Sequence, residues 1–127
     1  VRSALQAERT RMDVIAENIA NAETTRAADG GPWRRRQVVL RAEQIRASGN
    51  SCSGVRVAAI EADDHPPMRV HNPAHPDADA DGYVSLPNVA LPTEMADMVL
   101  AARTYEANAA ALRSGREMIR AALNVLA

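Results

Sequence analysis

Three aspartates stand at alternate positions in the stretch HPDADADGYVSLPN, and a glycine follows the third. The run from Asp77 to Gly82 matches the first half of an EF-hand loop, whose alternate carboxylates bind calcium. The match ends at the twelfth position, where Asn88 stands in place of the glutamate that would bind calcium through both oxygens. Nearby prolines also leave no room for the helix that should precede such a loop. The sequence therefore favours an acidic turn, with a positive φ at Gly82, over a calcium site.

The remaining residues that could bind a metal are Cys52, His65, His71 and His75. They form no C-x-x-C pair and no pair of histidines on one helix, and Pro73 separates the last two histidines. No motif supplies the orienting partner and the oxyanion site that a catalytic Cys-His pair would need. We therefore expect no enzymatic activity, no metal or other cofactor, and no small-molecule substrate.

A third candidate is the group formed by Trp33 and the arginines 34–36, which could stack on a base and pair with phosphates. This group lies in a predicted strand, where consecutive side chains point to opposite faces, so the three arginines do not form one surface. The net charge of the whole chain is only -1. We therefore do not expect nucleic-acid binding.

The composition predicts one domain with a thin hydrophobic core. The chain has 127 residues, 26 of them alanine, and contains no phenylalanine. Alanine buries little surface, whereas each large aliphatic side chain contributes about 1.5 to 3 kcal/mol when fully buried. A single cysteine excludes an intrachain disulfide. We expect no membrane span and no cleaved leader, and we expect assembly with other chains to complete the fold.

The first 22 residues contain neither glycine nor proline and follow a heptad pattern. Apolar residues recur at intervals of seven in two series. The first consists of Leu5, Met12 and Ile19. The second consists of Val1, Ile15 and Ala22, and Glu8 is its only charged exception. The pattern predicts a long amphipathic helix with a coiled-coil seam.

A second, longer helix is predicted from Thr93, a favourable capping residue, to Ala127. It carries two series at intervals of seven: Met98, Tyr105, Leu112, Ile119 and Leu126 in one, and Met95, Ala102, Ala109, Arg116 and Leu123 in the other. If the two helices pair antiparallel with Ala22 beside Ala102, Glu8 and Arg116 lie side by side. Those two charges are then predicted to neutralise one another.

Between the helices, three stretches read as short strands: WRRRQVVLR, GVRVAAIEA and YVSLP. The polar residues 46–53 are predicted to form a flexible loop. The fold class is therefore α+β, with long N- and C-terminal helices that form a coiled-coil-like pair and a small β-rich insert between them. We divide the single domain 1–127 into an N-terminal helix with the signature that follows it (1–25), a strand- and loop-rich middle (26–92) and a C-terminal helix (93–127).

Four ordered blocks of the chain resemble one known family, the bacterial flagellar basal-body rod proteins, and within it the proximal rod subunits of FlgC type. The blocks are SALQAERTRMDVIAENIANAETT, GGPWRRRQVV, NPAHPDADADGYVSLPNV and EMADMVLAARTYEANAAAL. The resemblance implies a structural subunit of the rod that crosses the periplasm and transmits motor torque. It also implies export through the flagellar type III apparatus, and docking against other rod subunits and copies of itself.

The resemblance and the heptad patterns together predict the residues of the assembly interface. On the first helix they are Leu5, Met12, Ile15, Asn18, Ile19, Asn21 and Thr24; on the second they are Glu94, Met95, Met98, Arg103, Tyr105, Asn108, Leu112, Ile119 and Leu123. Asn18 and Asn21 could instead simply end the first helix. Two other functions compete with the rod subunit: a stand-alone helical adaptor, and a calcium module built on the aspartate run.

Overall fold

The computed structural model describes the backbone of residues 1–47 and 50–126, together with all side chains of these ranges except those of 45–47, 50, 51 and 126. In chain order, the elements are α1 (Arg2–Ala20), β1 (Arg36–Ala47), β2 (Asn50–Ala62), β3 (Met68–His71), β4 (Tyr83–Leu86) and α2 (Leu91–Leu126). Two helices thus enclose a small antiparallel β region, which confirms the predicted α+β class.

Helix α1 is uninterrupted because no glycine or proline occurs within it. It ends at Ala20, two residues before the predicted end. There the backbone N–H of Asn21 donates to the carbonyl of Glu17 at 3.1 Å, and the side-chain amide of Asn21 donates to the same carbonyl at 2.8 Å. Asn21 therefore satisfies a late carbonyl of the helix.

Helix α2 begins at Leu91, two residues before the predicted cap at Thr93. The carbonyl of Ala90 accepts the backbone N–H groups of Thr93 and Glu94, both at 3.0 Å, so Thr93 already lies inside the first turn. Pro92 fits there because the first turn of a helix does not use its N–H groups. The helix has 36 residues and is about 54 Å long. Ala127, its predicted end, lies outside the described residues.

Strands β1 and β2 form a long antiparallel hairpin, with register from Arg36 opposite Ala62 to Ala47 opposite Asn50. Val39 pairs with Ala59 and Leu40 with Val57, so Ala58 is the extra residue of a β-bulge. The prediction of a flexible loop over 46–53 is wrong for residues 46, 47 and 50–53, which lie in the strands; residues 48 and 49 lie outside the described part. Ladder hydrogen bonds join backbone groups, so polar side chains do not end an exposed hairpin.

Strand β3 was not predicted. It pairs antiparallel with β4, from Met68 opposite Leu86 to His71 opposite Tyr83. Its sequence MRVH alternates apolar and polar residues, but over only four positions in a proline-rich stretch, and this short alternation was not read as a strand; all four residues are exposed. This second sheet lies in the proline-rich connection that leads to α2.

The hydrophobic core is small, as the composition predicts. Among the residues that the structure describes, the buried apolar side chains are Ala7, Val14, Ile15, Val84, Val89 and Ala101. Helix α1 contacts α2, β1 and β2, and so lies at the centre of the packing. Within the described part of the chain, neither helix has an apolar stretch long enough to cross a membrane.

Candidate assembly interface

The two helices pair antiparallel, because a residue near the end of α1 meets one near the start of α2. The side-chain amide of Asn18 donates to Glu94 Oε2 at 3.1 Å. This register differs from the predicted one by about 12 residues, or roughly 18 Å along the helix axis. The predicted pair of Glu8 with Arg116 is therefore wrong. Glu8 is buried, and its Oε2 has no hydrogen-bond partner among the described residues.

The face that α1 buries is wider than the predicted coiled-coil seam. Its deepest apolar residues are Ala7, Val14 and Ile15, whereas most of the predicted series is half-buried. The reason is that α1 packs against the β1–β2 hairpin as well as against α2: for example, Ser3 Oγ accepts the backbone N–H of Val55 at 3.2 Å. A helix with two partners must bury more than one stripe of side chains.

The predicted interface residues of α1 fall into two groups. Ile15 and Asn18 are buried within this chain, and the others are half-buried: Leu5, Met12, Ile19, Asn21 and Thr24. Thr24 Oγ1 donates to Asn21 Oδ1 at 3.2 Å, so these two side chains close the turn after the helix. The α1 residues are thus largely engaged with the chain's own elements.

The predicted interface residues of α2 are mostly accessible. Glu94 is buried; Met98, Asn108 and Leu112 are half-buried; and the remaining ones are exposed: Met95, Arg103, Tyr105, Ile119 and Leu123. Arg103 forms an ion pair with Glu106 at 2.9 Å, and the amide of Asn108 donates to the carbonyl of Thr104 at 3.0 Å. Most of the exposed apolar surface among the predicted interface residues therefore lies on α2, on the parts that α1 does not cover.

The C-terminal part of α2 extends beyond its partner, because α1 has 19 residues and α2 has 36. In the observed register, α1 begins beside about residue 110 of α2. We call residues 113–126 the projecting end. Among the described side chains of this segment, the large apolar ones are strongly exposed: Met118 66 %, Ile119 63 %, Leu123 60 % and Val125 86 %. A helix of this length that carries such side chains is marginal in water on its own.

A polar cluster joins α1, β1 and α2, and we call its residues Asn18, Arg35 and Glu94 the three-way junction. Asn18 and Glu94 are each only 1 % exposed. Arg35 Nε donates to Glu94 Oε1 at 2.7 Å, and Asn18 donates to the other carboxylate oxygen. The sequence singled out Asn18 and Glu94 but missed Arg35. The only indication of Arg35 in the sequence was its place among three consecutive arginines in the block GGPWRRRQVV. In the structure, this one of the three turns inward to Glu94.

Two of the three arginines beside Trp33 contact other parts of the chain. Arg35 pairs with Glu94, and Arg36 pairs with Glu17 at 3.3 Å while its guanidinium lies 4.7 Å from the centre of the Trp33 ring. These contacts give the tryptophan and two of the arginines a structural role.

The aspartate run is a turn whose carboxylates bind other parts of the chain. Asp77 accepts Thr25 Oγ1 and Arg26, both at 2.7 Å. Asp79 pairs with Arg69 at 2.6 Å and accepts the backbone N–H of Tyr83 at 2.8 Å, a contact that holds its pKa below the ordinary 3.8. Over the described residues, no group of three His, Cys, Asp or Glu side chains is placed to hold a metal ion.

Gly82 ends this turn with a φ of 79°, as the sequence predicts. Alanine substitutions of Gly82 and of the helical Gly115 therefore form a matched pair that tests this angle. Gly82→Ala should lower the free energy of unfolding by about 1 to 2 kcal/mol, because a side chain is strained at this angle. A Cβ would also lie 3.1 Å from Pro73 Cγ. Gly115→Ala, in α2 with nothing within 4 Å of its Cβ, should instead stabilise by about 1 kcal/mol. Urea unfolding followed by circular dichroism measures both; equal signs would contradict the assignment.

The turn after β2 contains a histidine whose pKa reports its contact with a carboxylate. The hydrogen bond that the imidazole of His65 donates to the Asp63 carboxylate raises the pKa of His65 above 6.5, and the charge of Asp64 adds a smaller effect. The folded pKa is the higher one, so this stabilisation is complete below pH 6.5 and is lost as the pH rises through the folded pKa. We expect Asp63→Asn to return the imidazole pKa towards 6.5 in an NMR titration. Asp64→Asn, the control, should change it less; an equal change would contradict the contact.

Two family profiles match the ends of the chain. One is described as flagella basal body rod protein and covers residues 2–27; the other is described as flagellar basal body rod FlgEFG protein C-terminal and covers residues 80–125. The first match contains α1, and the second contains β4 and nearly all of α2. The matched segments therefore include both helices and two of the three junction residues.

Whole-chain relatives extend this similarity across the β region. The flagellar basal-body rod protein FlgC of Borreliella burgdorferi is 43 % identical, over 96 % of this chain and 90 % of the relative. The FlgC protein of Bacillus subtilis is 41 % identical, over 97 % and 91 %. That of Salmonella typhimurium is 39 % identical, over 92 % and 86 %. The alignments leave little of this chain unmatched.

Proposed function

The chain belongs to the FlgC family of flagellar basal-body rod proteins, and from this premise we propose how it works there. It is a structural subunit of the basal-body rod. We propose that it assembles through its terminal helices with copies of itself and with other rod subunits, and that the assembled rod transmits motor torque across the periplasm.

The observation that carries this proposal is the projecting end of α2. Among its described side chains, four large apolar ones are between 60 % and 86 % exposed, and α1 is too short to reach them. Apolar surface of this kind marks a protein interaction site. A neighbouring subunit that covers it would both extend the helical packing and stabilise a helix that is marginal alone.

A second apolar surface lies near the start of α2. Leu91, Met95 and Val99 follow one another at intervals of four and are exposed by 39 %, 60 % and 61 %. With the projecting end, they place apolar surface at both ends of one long helix. A subunit with contacts at both ends can bind one neighbour above and another below, as a continuous rod requires.

Torque transmission and export make opposite demands on the chain. A rigid rod needs many laterally packed helices, whereas export through the flagellar type III apparatus needs a chain that opens readily. We propose that the thin core serves export and that shared helices supply rigidity after assembly. We propose no enzymatic activity for this subunit.

Replacement of the natural subunit tests the proposal. Cells whose own copy of the gene is deleted should swim again when they produce the intact chain, and should remain non-motile when they produce residues 1–112, which lack the projecting end. Hook-basal bodies should be absent from electron micrographs in the second case. Because the truncated chain keeps the α1–α2 contact and the junction, circular dichroism of the purified protein should still show helix. Motile cells with the truncated chain would contradict the proposal.

The stand-alone adaptor makes a different prediction for the dilute chain. An adaptor should protect both helices along their whole length in hydrogen exchange. A rod subunit should protect the part of α2 that faces α1 and leave the projecting end in rapid exchange until other subunits are added.

A further inference from the structure

The side chain of Asn18 makes every hydrogen bond that an amide can make. Its nitrogen donates to the carbonyl of Arg36 at 2.9 Å and to Glu94 Oε2 at 3.1 Å. Its oxygen accepts the backbone N–H of Arg36 at 2.9 Å and the indole N–H of Trp33 at 3.4 Å. One side chain of α1 thus holds both backbone groups of the first residue of β1, and also holds α2.

Glu94 connects the same elements from the other side. It lies in the first turn of α2 and is 1 % exposed, and its second oxygen accepts Arg35 Nε at 2.7 Å. The carbonyl of Arg35 also accepts the backbone N–H of Asp63, the residue that follows β2, at 2.7 Å. No more than two hydrogen bonds therefore separate the Arg35–Glu94 ion pair from either helix or from either end of the β1–β2 hairpin.

We propose that the three-way junction is a conformational lock that couples closure of the helix pair to the orientation of the β1–β2 hairpin. Closing the helices without docking the hairpin would leave the Glu94 carboxylate buried with no cation beside it, which is strongly unfavourable. Docking the hairpin on α1 without α2 would leave Arg35 without its carboxylate and the side-chain amide of Asn18 without one of its two acceptors. The two movements therefore occur together, and the chain has one closed shape instead of a range of hairpin angles.

The proposal does not depend on rod assembly, since all of its contacts lie within one chain. Its consequence for assembly is geometric: copies with the same hairpin angle present the same surface to their neighbours, as a regular filament requires. An opened lock frees the helices and the hairpin together, which gives a single transition between the open and closed chain.

The single cysteine of the chain allows a direct measurement of the hairpin angle. Cys52 is exposed on β2, and Ala107→Cys adds a second exposed attachment point on α2. With nitroxide labels at both positions, pulsed electron paramagnetic resonance measures the distance between the hairpin and α2. In the otherwise unchanged chain, we expect one narrow distribution of distances. Urea should broaden it at the same concentration at which helical circular dichroism is lost.

Glu94→Gln removes the charge of the lock and keeps the shape of the side chain. We expect it to broaden the distance distribution about two-fold or more, at helix content equal to that of the unchanged chain, because Arg35 no longer has a carboxylate to hold. The matched control is Glu17→Gln, which breaks the neighbouring ion pair with Arg36. Both side chains of that pair are about half exposed, so the distribution should stay narrow.

Other outcomes also decide the proposal. Loss of helix and hairpin order together in Glu94→Gln would also support it, because Glu94 contacts both Asn18 of α1 and Arg35 beside the hairpin. A narrow distribution in Glu94→Gln with helix content intact would overturn it. In the chain that keeps Glu94, urea transitions of the hairpin and of the helices at different urea concentrations would also overturn the proposal.

Discussion

The double substitution Ile119→Asp and Leu123→Asp is expected to abolish assembly while leaving the fold of the isolated chain intact. Both side chains are at least 60 % exposed, so their loss should change the free energy of unfolding by no more than about 0.5 kcal/mol. In the assembled rod, the same positions are proposed to be buried. Each would then forfeit about 1.5 to 3 kcal/mol of apolar burial, and each aspartate would place a carboxylate in an apolar contact.

The two apolar losses alone come to at least about 3 kcal/mol, which corresponds to a roughly 100-fold weaker contact between subunits, and the buried carboxylates weaken it further. We expect non-motile cells, no complete basal bodies in electron micrographs, and an unchanged urea midpoint of the purified chain. The control is Ala121→Asp. It adds one such carboxylate to the same helical turns on the side opposite residues 119 and 123, and it should be tolerated better. Normal motility of the double variant would show that the projecting end is not an interface.

The helices could be predicted from the sequence because their signals are local. Heptad spacing and the lack of glycine and proline define α1, and a long uninterrupted series defines α2. The positive φ of Gly82 follows in the same way from its place after three aspartates. Each of these features depends on neighbours within a few residues.

The register of the helix pair could not be predicted, because several alignments of two alanine-rich heptad series bury similar areas. The prediction matched the two charged residues of the seams, Glu8 and Arg116, and was wrong. The observed register is set instead by Asn18 and Glu94, which meet only after the chain has turned through the whole β region. Arg35 was missed for the same reason: its partner is 59 residues away in the sequence.

Asn18→Ala is expected to be the most destabilising single truncation on the surface of α1 that meets the β region. It removes four hydrogen bonds and leaves the two backbone groups of Arg36 and one oxygen of Glu94 without the partner that Asn18 supplied. Each buried polar group that loses its partner costs about 1 to 3 kcal/mol. We expect the free energy of unfolding to fall by about 3 kcal/mol or more, or the chain to stay open.

The matched control is Asn21→Ala, the same substitution three residues further along the chain. Asn21 is half-buried, and its side chain bonds the carbonyl of Glu17 and Thr24 Oγ1 at the end of α1, where water can replace it. Its loss should cost about 1 kcal/mol. Urea unfolding followed by circular dichroism compares the two variants on one scale. If Asn18→Ala cost no more than Asn21→Ala, the junction would be a passive end of the helix, and the register of α1 against α2 would have to come from apolar packing alone.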